Sequence, residues 1–333
     1  MILAGDIGGT KTLLGLFVDA TNLKEPVRQQ SFPSQRYGRL EEIVTEFLAA
    51  VDERPEVASF AVAGPVVEET ARITNLPWVI SAAALQEAHG FGAVHLMNDV
   101  QATAAAVPAL DEDDVVTLRP GTPVKHGAIA VIAPGTGLGE SFLVWDGAQY
   151  RAHATEGGHA SFAPGSEIEV RLLDFLFPIF GHLSYERVAS GSGIPNIYRF
   201  LREGEGMAEP EWLHLALQDA PDPNPIIMQA ALAGKAEICV ATLDLFAHIL
   251  GGEVGNMALK MLATGGVYLG GGIPPRILAR LQEPDFLVSI SRKGRFQTLL
   301  DTIPVHVIVD PEVTLHGAAY DGLMALKGRS SLI

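Results

Sequence analysis

The apolar positions of this chain begin as short runs rather than long stripes. Residues 2–7, 12–18 and 27–32 have the length and composition of strands, with turn-forming residues at 19–22 between the second and third. Residues 40–51 repeat apolar side chains at helical spacing, and 57–62 and 94–97 return to the strand pattern. Three strands followed by strand–helix alternation predict a mixed sheet of the α/β class. The acidic stretch Asp111-Glu112-Asp113-Asp114 reads as a domain boundary. Beyond it the opening order recurs: an apolar run at 128–133, a glycine–threonine loop at 134–139, a second run at 141–145, an Asp146-Gly147 turn, and a third strand from Tyr150. A third glycine cluster, Gly265-Gly266 and Gly270-Gly271-Gly272, flanks Val267-Tyr268-Leu269 and precedes Pro274-Pro275, where a helix can start. Such a loop lies at the carboxyl end of a strand, where α/β folds keep ligands. Residues 314–326 are rich in Ala and Leu and read as a helix.

The two repeated loops carry the candidate chemistry. In Gly5-Asp6-Ile7-Gly8-Gly9-Thr10-Lys11-Thr12 the glycines free backbone N–H groups to face a polyanion, the threonines add hydroxyls, and Asp6 offers a carboxylate near a hydrated cation. The spacing is not that of a P-loop, because the required second glycine falls on Thr10 and a strand follows instead of a helix. It also lacks the Gly-x-Gly-x-x-Gly order of a dinucleotide site; a tight hairpin turn is the plain structural alternative. Gly135-Thr136-Gly137 repeats the theme on a similar strand frame, so two duplicated halves, each with a phosphate loop, are expected to hold one nucleotide between them.

Composition narrows the function. The chain has 333 residues, enough for two domains, and is 48% hydrophobic. Its net charge of −16, from 23 basic and 39 acidic residues, argues against a general nucleic-acid surface. A lone Cys239 excludes an internal disulfide and a Cys-rich zinc site. The first apolar stretch contains Asp6 and lacks a basic leader, and no uninterrupted apolar run of membrane-spanning length is apparent, so a cytoplasmic chain with no membrane partner is expected.

Asp99 follows the run at 94–97 and precedes a helix-prone stretch, which puts its carboxylate at a strand-to-helix junction. From the residues alone, helix capping and proton acceptance are equally good readings, with Asn98 and Gln101 also at capping spacing. Glu156-Gly157-Gly158-His159 could pass for a helical metal pair, but paired glycines weaken a helix and no second copy exists.

These motifs, in this order along nearly the whole chain, resemble the bacterial glucokinases of the hexokinase-related group, in the superfamily that also holds actin, acetate kinase and the heat-shock chaperone ATPases. The resemblance implies two similar actin-like (ribonuclease H-like) α/β domains, mixed sheets flanked by helices, with a nucleotide and sugar cleft between them. Residues 1–109, joined by a C-terminal helix at 312–327, would form the small domain and 110–311 the large one. It implies ATP-dependent phosphorylation of glucose, with glucose and ATP as ligands, Mg2+ as cofactor and a homodimer as the working form. Asp6, Gly8, Gly9, Thr10, Lys11 and Thr12 resemble the first phosphate loop, Gly135, Thr136 and Gly137 the second, and Gly270, Gly271 and Gly272 the adenosine loop. Asp99 would be the catalytic proton acceptor, and Asn98, Asp99, Glu156, His159 and Glu186 the sugar set, with Asn75 on a sugar-proximal loop. Asp6 and Asp99 would lie near the magnesium through water. The related repressor and sugar-kinase group usually carries a cysteine-rich zinc motif after the His segment; with only Cys239, this chain departs from that group. A sugar-sensing regulator of the same fold is the rival reading, but the chain starts directly at its first strand and its charge is wrong for a DNA-binding segment.

Overall fold

The computed structural model describes residues 1–18, 22–73 and 76–330. Its strands, in chain order, are β1 (Ile2–Ile7), β2 (Lys11–Phe17), β3 (Arg28–Pro33), β4 (Val57–Val62), β5 (Val66–Val67), β6 (Thr70–Arg72), β7 (Val79–Ser81), β8 (Ala93–Asn98), β9 (Val115–Arg119), β10 (Ile129–Pro134), β11 (Leu138–Trp145), β12 (Tyr150–Thr155), β13 (Gly266–Leu269) and β14 (Val305–Ile308). The first sheet has the order β3-β2-β1-β4-β8 and the second β12-β11-β10-β13-β14-β9. Each begins with a three-strand meander and continues with two parallel strands, to which the second adds the antiparallel edge strand β9, so the duplication read from the sequence is a duplication of topology up to that edge. A small sheet, β5-β6-β7, completes the strands described.

Two compact units result. One comprises 1–114, 141–154 and 310–333, the other 115–140 and 155–309. In the first, every residue of β4 is buried, as suits a parallel strand covered on both faces. One face packs Leu3, Leu14, Phe47 and Phe60 together. The other receives the final helix, Val313–Ser330, whose Leu315, Ala318, Ala319 and Leu323 bury against Ile2, Ala4 and Val57. That helix crosses Asp99–Ala106 so closely that a Cβ at Gly317 would run into the Ala102 carbonyl. In the second unit, β10 is buried along its whole length and packs with the long helix Glu237–Lys260 in one large core.

Several strands differ from the sequence expectation, the small sheet β5-β6-β7 among them. The edge strand β9 and the strand β14 went unread, because each is short and β9 follows the acidic stretch without a turn signal. The helix Glu237–Lys260 is, by length and composition, apolar enough to cross a membrane, although Asp244 and Glu253 interrupt its apolar run. It is a core helix, with 72% of its most apolar stretch buried inside the protein.

Candidate active site

In the first unit the loop between β1 and β2 is a tight turn, closed by Gly8 N donating to Lys11 O at 3.0 Å. Thr10 and Lys11 are exposed, and Gly8 and Gly9 are half-buried. Thr12 corrects the expectation of a hydroxyl row facing ligand. It is fully buried, and its Oγ1 lies 3.0 Å from Ser34 Oγ, which donates to Gly8 O at 2.7 Å. The side chain is buried because β2 is covered on both faces from Thr12 to Phe17, and its hydroxyl braces the loop instead of meeting solvent.

Asp6 and Asp99 lie at the carboxyl ends of β1 and β8, the parallel strands on either side of β4. Asn98 caps the helix Asp99–Ala106, its Oδ1 accepting from Gln101 N at 2.6 Å, so the capping role falls to Asn98. Asp99 is the first helical residue, and its Oδ1 accepts from Val100 N at 2.9 Å. Burial, then the charge of Asp99, push the Asp6 carboxyl up to about 6, with Lys11 opposing. A cation beside this pair would relieve both costs. No group of three or more His, Cys, Asp or Glu able to hold a metal occurs among the described residues. A two-carboxylate site of this kind fits Mg2+, which keeps several of its waters and takes its remaining ligands from phosphates.

In the second unit, three loops meet. Gly191 N donates to Gly135 O at 2.8 Å, Ser192 N to Thr136 O at 3.2 Å, and Ile273 N to Pro134 O at 3.2 Å. Gly271 has φ +77°, and a Cβ there would stand 2.7 Å from Pro134 O, so only glycine lets this turn come so near the β10 loop. The loops open on a cavity of about 730 Å3, within the range of small-ligand sites. Gly135, Thr136 and Gly272, expected from sequence, line it, and so do Ser192, Asn224, Met228, Ile273 and Arg276, which sequence reading missed. Arg276 follows the helix-starting Pro274-Pro275, and Asn224 begins a helix between two prolines; both positions were open to suspicion on that ground. Gly270 and Gly271 make the turn that presents Gly272, with Gly270 N donating to Ile132 O at 2.9 Å.

The acid–imidazole set also assembles in this unit. His159 Nε2 lies 3.9 Å from Glu156 Oε2, and its Nδ1 lies 3.9 Å from Glu186 Oε1. Both gaps are too long for direct hydrogen bonds, which leaves these polar atoms spaced for bridging by hydroxyl groups. Glu156 and His159 are largely exposed, whereas Glu186 is held in place: its Oε2 accepts from Leu138 N at 3.1 Å. Gly157 to His159 form one turn of 3-10 helix, not the α-helix a metal pair would need. Asn75 lies outside the described residues.

The comparisons bear on the family and the fold. The family model described as glucokinase matches residues 3–323. A glucokinase of Trichormus variabilis is 41% identical, over 96% of this chain and 98% of the relative. The crystal structure of a glucokinase from an Antarctic psychrotroph, 33% identical, superposes with a TM-score of 0.85 over 96% of this chain and 98% of the other. A ROK family glucokinase from Streptomyces griseus, solved in complex with glucose and AMPPNP, shares the fold at 20% identity and a TM-score of 0.60, over 97% of this chain and 99% of the other.

Proposed function

Because the chain belongs to the glucokinase family, we infer that it transfers the γ-phosphoryl group of ATP to the 6-hydroxyl of glucose, giving glucose 6-phosphate. The relationship to glucokinases along nearly the whole chain, at up to 41% identity, carries this reading.

The residue roles follow from the chemistry. The 730 Å3 cavity, with glycine backbone on one side and Met228 and Ile273 on another, suits a nucleotide whose phosphates run toward Gly135 and Thr136. Gly8, Gly9, Thr10 and Lys11 are the corresponding anion donors of the first unit. Glu156, His159 and Glu186 offer acceptors and an imidazole to adjacent sugar hydroxyls, and Asn98 and Asp99 complete the sugar set. Asp99 orients the attacking hydroxyl and takes its proton late. A carboxylate at a helix start is a weak base, which phosphoryl transfer tolerates because its loose transition state depends on positioning and charge stabilisation. Asp6 and Asp99 would hold Mg2+ through water, where it would supply charge neutralisation at the phosphates. We assign the working form to a homodimer in the cytoplasm and the division of labour to domains 1–109 with 312–327 and 110–311, all on family resemblance.

The test is phosphorylation of a sugar panel (glucose, fructose, mannose, N-acetylglucosamine and N-acetylmannosamine) with ATP and magnesium, against a no-sugar control. Glucose-dependent ADP release with glucose 6-phosphate as product is expected. Preference for another sugar would reassign the substrate, and sugar binding without turnover would make the protein a sensor.

A further inference from the structure

A buried polar cluster lies behind the loop that carries Glu156 and His159, and the function above does not use it. Glu140, on β11, is 2% exposed, and its Oε1 has no hydrogen-bond partner. Its Oε2 occupies the space that a Cβ at Gly157 would need, so the carboxyl packs directly on the backbone of the sugar loop. The Glu140 main chain ties down the same loop: Thr155 Oγ1 donates to Glu140 O at 3.1 Å and accepts from Gly157 N at 3.0 Å.

Glu253 approaches Glu140 from the long helix Glu237–Lys260 and is fully buried. It accepts from Asn256 Nδ2 at 2.7 Å and pairs with Lys260 Nζ at 3.3 Å. Asn256 Nδ2 also donates to the Tyr185 hydroxyl at 2.8 Å, and Lys293 Nζ donates to Asn256 Oδ1 at 2.6 Å. Tyr185 immediately precedes Glu186, and its N–H donates to Ala160 O at 3.0 Å, just past His159. One cluster therefore reaches the backbone of both segments that carry the acid–imidazole set.

A buried carboxylate needs donors, and Glu140 Oε1 has none. Burial, then the charge of Glu253, push its pKa up to about 7, with Lys260 opposing. The neutral acid packs against Gly157 without cost in charge. The anion would face the buried charge of Glu253.

We propose that Glu140 is a positioning residue for sugar binding, whose neutral side chain sets the Glu156–His159 loop and whose ionisation beside Glu253 releases it. The proposal rests on the sugar-binding role given to Glu156 and His159. The sign follows directly: the competent, protonated form dominates below pH 7 and is lost as pH rises through it. Other charges facing the cluster are Lys260 from the helix and Lys293 through Asn256, with Glu169 acting on Lys293 in turn.

The experiment is the pH dependence of kcat and of KM for glucose and for ATP between pH 6 and 8.5, in wild type, Glu140→Gln and Glu156→Gln. For wild type, KM for glucose should rise roughly tenfold by one pH unit above the midpoint, as the competent fraction falls, while KM for ATP stays flat. Glu140→Gln, which keeps the shape without the charge, should hold a low glucose KM across the range. A wild-type pH profile in Glu140→Gln would overturn the proposal. If Glu156→Gln left glucose KM unchanged, the sugar assignment itself would fall, and the proposal with it. Should Glu140→Gln not fold, Glu253→Gln provides the second arm: removing the facing charge should shift the glucose midpoint to lower pH, and an unmoved midpoint would refute the coupling.

Discussion

The two glycine–threonine loops stand on the same kind of strand frame but are held by different means. The first, after β1, is fastened from the residue just past β3: Thr12 meets Ser34, and Ser34 meets Gly8, within 26 residues. The second, after β10, is fastened by residues about fifty positions away, with Gly191 and Ser192 donating to its carbonyls and Glu186 accepting from Leu138 N. The first loop is thus a local device braced from inside its own unit by a buried hydroxyl pair. In the second, the carboxylate that steadies the loop is one we propose for the sugar set, so on that proposal nucleotide and sugar segments share a support.

The largest effect should separate the units by task. Asp99→Ala, in the first unit, is expected to lower turnover roughly a hundredfold to ten-thousandfold, the usual yield of a proton-transfer residue. ATP affinity, measured by calorimetry, should stay near wild type, because the large cavity is built from the second unit alone. Turnover close to wild type would put the proton acceptor elsewhere.

The shared support of the second loop can be broken without touching the carboxylate. At Gly137 a Cβ would stand 2.5 Å from Glu186 Oε2, so Gly137→Ala must push Glu186 aside and lose the bond to Leu138 N. Loss of a hydrogen bond to a charged group is worth about 1.5–3 kcal/mol, so glucose KM should rise roughly tenfold or more. Steady-state kinetics with each substrate varied would decide it. A rise in KM for ATP with glucose KM unmoved would show that Glu186 serves the loop and not the sugar.

The contrast between local and distant fastening also explains what the sequence discloses. The meander β1–β3, the buried run of β4 and the Asn98-Asp99 junction follow from neighbours in the chain, so period and capping chemistry reveal them. Gly135-Thr136-Gly137 is visible as a loop, but nothing nearby announces that Ser192, Asn224 and Arg276 share its cavity, since tertiary packing alone brings them there. Glu186 was reachable only through family resemblance. Glu140 left a fainter mark: an acid inside the strand-like stretch from Leu138 to Trp145, where burial makes an unpaired charge expensive. Thr12 misled for the opposite reason, because a hydroxyl in a phosphate-loop motif reads as a ligand contact, whereas tertiary packing covers both faces of β2 from Thr12 onward.

The smallest effect tests that last point. Ser34 Oγ has one proton, and it goes to Gly8 O at 2.7 Å, so in the Thr12–Ser34 contact Thr12 is the donor and Ser34 accepts. Thr12→Val keeps the volume and removes only that donor, leaving an acceptor lone pair unmet, which costs about 1–2 kcal/mol. Ser34→Ala should cost more, because it strands both the buried Thr12 hydroxyl and the Gly8 carbonyl, and the double variant should cost less than the two single losses together. Urea denaturation of the four proteins, followed by ATP binding at 25 °C, reads both quantities. If Thr12 is a brace, stability falls in this order while the ATP dissociation constant moves little. If ATP affinity fell more than roughly tenfold with stability unchanged, the buried hydroxyl would have to turn outward to meet a phosphate, and the first loop would be held as the second is, through its ligand residues.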